Sequence, residues 1–221
     1  MLQYSAWAIG LWLNFLVIAV LARGSYRQYP FIFAYSLGLF VSTLMQISLR
    51  ALPKATWENF YWTNEIVLDI MVYCVVIAFI DEAARSSRRK VLQRHWLIAS
   101  AVLVFVVSYL IRRTPDHLNL QMTLISRDLN ICAAILDLIL WSLLAAARRP
   151  DRRLMLLSGG LGLQLTGAIM GESIRHLSRH YRGLLLPGDL MEVGTYLLGL
   201  YIWWRALRTA PVPASTAVQR A

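Results

Sequence analysis

Charged side chains sit where a greasy sequence should not hold them. Glu65, Asp69, Arg127, Asp128, Asp137, Glu172, Asp189 and Glu192 all lie in, or at the rim of, long apolar runs. An ionisable group inside a lipid-spanning helix costs about 2.5–3.5 kcal/mol on insertion scales, so each is a functional candidate by default. Carboxylates outnumber the nearby guanidiniums of Arg127 and Arg175. Acids that cannot all be paired must meet water, a cation or a proton. Two arrangements satisfy this. In one, an ion-pair network ties helices together, with Arg127 as a buried hub forking to carboxylates. In the other, the same groups line a polar pocket for a cation, a proton or a small polar solute. Arg127 there orients an anionic group or tunes the acids. Asp69 and Asp137 lie deepest and are the relay candidates.

Spacing supports a shared interior. Glu65, Asp69 and Tyr73 recur every four residues and share one helical face. Arg127, Asn130, Ala134, Asp137 and Trp141 form a polar-aromatic stripe that should not face lipid. Gly160, Gln164, Gly167 and Gly171 make a small-residue stripe containing Gly167-x-x-x-Gly171, which lets another helix approach closely. Asp189, Glu192, Tyr196 and Gly199 share a face after Pro187-Gly188. The predicted ligand-binding set is therefore these acids with Arg127, placed between the third, fifth, sixth and seventh apolar runs.

Those runs span about 5–22, 30–49, 60–80, 95–111, 119–147, 154–174 and 184–204. Hydrophobic residues make up 58% of the 221 and charged residues only 15%, with mean hydropathy +0.53. A soluble enzyme, a disordered chain and a disulfide-rich module are excluded by this balance. Lipid supplies no partners for free backbone groups, so each run is predicted to be a helix. The fold class expected is all-α: a seven-helix polytopic membrane protein in one domain, 1–207, with a flexible cytoplasmic tail at 208–221. Met1 to Ser5 carry no positive charge, so the first run reads as a retained helix rather than a cleaved signal.

The net charge of +10 reads as topology, not as nucleic-acid binding. With the amino terminus outside, the cytoplasmic segments collect Arg23, Arg27, Arg85, Arg88, Arg89, Lys90, Arg94, Arg148, Arg149, Arg152, Arg153, Arg205 and Arg208. Most of the acids fall on the other side. N-out, C-in in the plasma (inner) membrane is the orientation expected. Trp57, Tyr61 and Trp62 at the outer end of the third run, Trp96 at the start of the fourth, and Trp203-Trp204 at the end of the seventh suit the interfaces.

The chain also repeats. Residues 8–52 align without gaps on 133–177, matching Arg23 to Arg148, Arg27 to Arg152, and Met45-x-x-Ser48-Leu49-Arg50-x-Leu52 to Met170-x-x-Ser173-Ile174-Arg175-x-Leu177. This predicts parallel three-helix repeats, about 5–82 and 119–205, joined by a linker helix at about 95–111. The three-plus-one-plus-three plan resembles that of the SWEET and PQ-loop sugar transporters and of microbial rhodopsins, in helix plan only. The Pro-Gln dipeptide of the PQ-loop group is absent. The seventh run has no Lys for a retinal Schiff base, since the only lysines are Lys54 and Lys90.

Transport or sensing of a small polar or cationic solute is the leading expectation, with membrane lipid as the surrounding partner. A sensor would need a cytoplasmic partner, for which the basic loop 85–94 is the candidate. A structural subunit of a larger complex is the alternative. A lipid-directed hydrolase would use His176, His180 and Glu172, but Arg175, Arg179 and Arg182 make that setting poor for zinc. Cys74 and Cys132 lie in apolar runs without metal spacing. No catalytic residue, metal site or cofactor is assigned.

Overall fold

The computed structural model describes residues 2–49, 54–83, 106, 118–146, 151–178 and 185–208. Among the described residues, all regular elements are helical. They are α1 (Leu2–Ala22), a short 3-10 turn (Ser25–Arg27), α2 (Pro30–Ser48), α3 (Lys54–Ala83), α4 (Leu118–Ala146), α5 (Arg152–Ser178) and α6 (Leu185–Arg208). The helices α1 to α3 are the first three apolar runs, and α4 to α6 are the fifth to seventh. The fourth run and the basic loop 85–94 lie outside the described residues, Val106 apart, as does the tail after Arg208.

Local chemistry sets the helix ends. Gly24 takes a φ of 138°, a left-handed conformation that costs other residues far more, and it turns the chain out of α1. Pro30 then opens α2, where its missing N–H is no loss. Asp151 caps α5: its Oδ1 accepts the backbone N–H of Arg153 at 2.9 Å and of Leu154 at 3.2 Å.

The helices close into a ring. Each packs on its neighbours in chain order, and α6 returns to pack on α1. The most extensive interface joins α5 and α6. Here the small-residue stripe does what its spacing predicts. A β-carbon at Gly160 would lie 2.7 Å from Trp203 Cδ1, and one at Gly171 would lie 2.9 Å from Glu192 Cβ; Gly167 faces Thr195. Only glycine permits that approach.

One half of the ring is closed by a dense core. Val17, Leu21, Ile32, Val75, Val76, Phe79, Leu140, Leu157, Leu161, Leu200 and Trp203 are buried. The Trp203 indole N–H donates to the Leu157 carbonyl at 2.8 Å, and its ring meets Tyr35 edge-on at 5.9 Å. The outward faces are apolar as well: Trp12, Leu138 and Leu186 are each at least 60% exposed, and large aliphatics are exposed on all six helices. Two segments, Pro30–Ser48 and Arg152–Gly171, are long and apolar enough to cross a membrane, and Ala8–Ala22 is a shorter apolar stretch.

Candidate functional site

Opposite the dense core, towards the amino-terminal ends of α1, α3 and α6, lies a cavity of about 250 Å³. Gly10 and Leu11 of α1 line it, with Leu39, Ser42, Thr43 and Gln46 of α2, Tyr61, Glu65 and Leu68 of α3, and Glu192, Val193 and Tyr196 of α6. Packing explains its position. A β-carbon at Gly10 would sit 3.3 Å from Tyr196 Cε1, so α1 and α6 already touch at one wall. Across the ring, polar side chains link α2 and α3 beside the cavity. Asn64 Nδ2 donates to Ser42 Oγ at 2.7 Å, and Gln46 Nε2 reaches the same oxygen at 3.5 Å. The Thr43 hydroxyl donates to the Leu39 carbonyl at 2.8 Å.

Of the predicted site residues, the structure brings two, Glu65 and Glu192, to this cavity. The cavity lies among the first, second, third and seventh runs, not among the third, fifth, sixth and seventh. The glycine stripe of α5 draws α6 into close contact along Gly160, Gly167 and Gly171. Asp69 is buried beside the cavity on α3, where its Oδ1 accepts Asn130 Nδ2 at 3.0 Å and so joins α3 to α4. Arg127 does not line the cavity, and its Nε is buried without a hydrogen-bond partner. An amide-to-carboxylate hydrogen bond thus ties α3 to α4. Asp128 is half-buried on α4, and Asp189 is exposed. The side chains of Glu172 and His176, and the whole of His180, lie outside the described residues.

Asp137 belongs to a separate level. It is 2% exposed, and Ser158 Oγ donates to its Oδ1 at 2.7 Å. Gly162 leaves room for the carboxyl: a β-carbon there would lie 2.6 Å from Oδ2. This pair fastens α4 to α5 within the closed half of the ring.

Sequence reasoning missed the uncharged half of the site. Gly10, Ser42, Thr43 and Gln46 gave no signal, because nothing in their types or spacing marks a cavity until α2 is placed on α3. Beneath the cavity runs a further buried polar layer. Asn14 Nδ2 donates to the Ser36 carbonyl at 3.0 Å, one turn along from Gly10 and Leu39. Asn14 Oδ1, Ser36 Oγ and both amide atoms of Gln164 are buried without hydrogen-bond partners. Tyr35 sits in the same layer, within electrostatic reach of Tyr196, Asp69 and Glu65. At the far end of the ring, Arg153 donates to the Leu207 carbonyl at 3.2 Å and to Gln28 Oε1 at 3.4 Å, and its guanidinium lies 5.2 Å from the centre of the Tyr29 ring. One side chain thereby joins the start of α5, the end of α6 and the turn before α2.

Among the described residues, no group of three His, Cys, Asp or Glu side chains is placed to hold a metal ion. No protein-family model matches the chain, and no curated protein or solved structure is significantly similar to it.

Proposed function

We propose that this chain is a seven-helix protein of the plasma membrane, N-out and C-in, that admits a small polar solute from the outer side and transports it. The observation that carries the reading is the pairing of a carboxylate-lined cavity at one end of the ring with a closed apolar core at the other. With the basic turns facing the cytosol, that cavity faces outward. A pocket open towards one end of the bundle and closed towards the other is an arrangement an alternating-access carrier can use.

Lipid as the solvent is supported by the surfaces. Large apolar side chains are exposed on every described helix while the interior is apolar too, a pattern that would aggregate in water. The three-plus-one-plus-three duplication is drawn from the sequence repeat that aligns 8–52 with 133–177. The ring order is consistent with it: α1–α2–α3 and α4–α5–α6 follow one another around the ring, joined by α3 on α4 and α6 on α1.

Cysteine accessibility tests the reading. In a variant with Cys74 and Cys132 replaced by Ala, Thr43→Cys should react with a membrane-impermeant thiol reagent added outside. Slower reaction with reagent added inside marks alternating access and separates a carrier from a fixed receptor. Reaction from neither side, in folded protein, removes the pocket.

A further inference from the structure

We infer that the occupant of the outer pocket is a compact organic ammonium ion. The inference rests on the pocket reading and names its ligand class. Two carboxylates, Glu65 and Glu192, come to one small cavity from α3 and α6, and none of the described residues lining it is Lys, Arg or His. A pocket of that sign disfavours anions and favours a cation. Tyr61 and Tyr196 line the same space, and aromatic faces with carboxylates are the usual lining for organic cations. Aliphatic side chains between them suit an alkyl portion.

The hydroxyls argue against a sugar-like solute. Ser42 Oγ already accepts from Asn64, and the Thr43 hydroxyl already donates to the Leu39 carbonyl. A polyol would need several uncommitted donors and acceptors in the walls, whereas an ammonium needs charge and aromatic surface. Size points the same way. At about 250 Å³ the cavity lies below the range of about 300–1,000 Å³ usual for drug-sized ligands. A bare metal ion would leave the aromatic and aliphatic walls without a role.

Three probes of five heavy atoms each separate charge from shape: n-butylammonium, tetramethylammonium and 1-butanol. The readout is saturable thermal stabilisation of the full-length protein in detergent, which follows ligand occupancy of the folded state. At least one ammonium should bind at least tenfold more tightly than 1-butanol. Glu65→Gln and Glu192→Gln should each weaken it at least tenfold, while Tyr196→Phe keeps the affinity and Tyr196→Leu loses it. The probe comparison on the unaltered protein stands even if a variant fails to fold. Equal binding of 1-butanol, or no ammonium binding while Thr43→Cys stays reactive from outside, overturns the ammonium assignment and leaves the pocket standing. Failure of that cysteine reaction overturns both.

Discussion

Gly160 offers a direct test of how α5 and α6 are held. In Gly160→Ala, the new methyl would lie 2.7 Å from Trp203 Cδ1, 2.9 Å from its Nε1 and 3.3 Å from the Gly199 carbonyl oxygen. Trp203 is fully buried and cannot swing away without breaking its hydrogen bond to Leu157. Overpacking of this kind costs about 1–3 kcal/mol. Stranding a buried indole N–H costs about 1–3 kcal/mol more. Against these stands a gain of about 1 kcal/mol from the better helix propensity of alanine. The net expectation is a loss of about 1–5 kcal/mol, read as a fall of roughly 2–20 °C in melting temperature for a chain of this size. Gly194, on the same helix as Trp203, is the control. A β-carbon there meets nothing within 4 Å, so Gly194→Ala should keep or raise the melting temperature. Size-exclusion melting curves in detergent measure both. Equal melting temperatures for the two variants would refute the account of α5–α6 packing.

Other expectations follow from single contacts. Ser158→Ala removes the hydroxyl that binds Asp137 and should cost about 1–3 kcal/mol of stability; a double-mutant cycle with Asp137→Asn should show coupling of at least about 0.5 kcal/mol. Gly10→Val crowds Tyr196 at the pocket wall, so n-butylammonium affinity should drop more than tenfold while the melting temperature moves by only a few degrees. Arg153→Ala loses the contacts to Leu207, Gln28 and Tyr29 and should lower the melting temperature by several degrees. Arg153→Lys should restore little of it, because an ammonium cannot reproduce a planar fork that also stacks on Tyr29.

The helices were legible because apolar runs end at Arg, Pro and Gly clusters, and each described helix falls on its run to within a few residues. The close approach to α5 was legible too: four small or slim residues at helical spacing admit another helix, though they do not name it. The cavity was not. Which side chains share it depends on the order of helices around the ring, and charge alone does not set that order. Glu65 and Asp69 share a helical face, yet only Glu65 lines the space, while Asp69 is taken by Asn130 of α4. Arg127 drew attention as a charge, but an amide one turn along makes the bridge. The neutral walls, Gly10, Ser42, Thr43 and Gln46, carry meaning only once α2 faces α3.

The proposed duplication gives a reason for the pocket to lie where it does. In the repeat register, Gly160, Gly167 and Gly171 of α5 correspond to Tyr35, Ser42 and Gln46 of α2. The second repeat places glycines where its last two helices meet, and α6 closes on α5. In the first repeat the same positions carry larger side chains, and two of them, Ser42 and Gln46, line the cavity. Restoring the glycines should therefore shut the pocket. Ser42→Gly with Gln46→Gly costs about 1 kcal/mol per site in helix propensity, offset where α2 gains contact with α3. Thiol reaction at Thr43→Cys from the outer side should then slow at least tenfold in folded protein. If the double variant folds and the cysteine reacts as fast as before, the bulk of those two side chains does not make the space, and the difference between the halves must come from elsewhere in the ring.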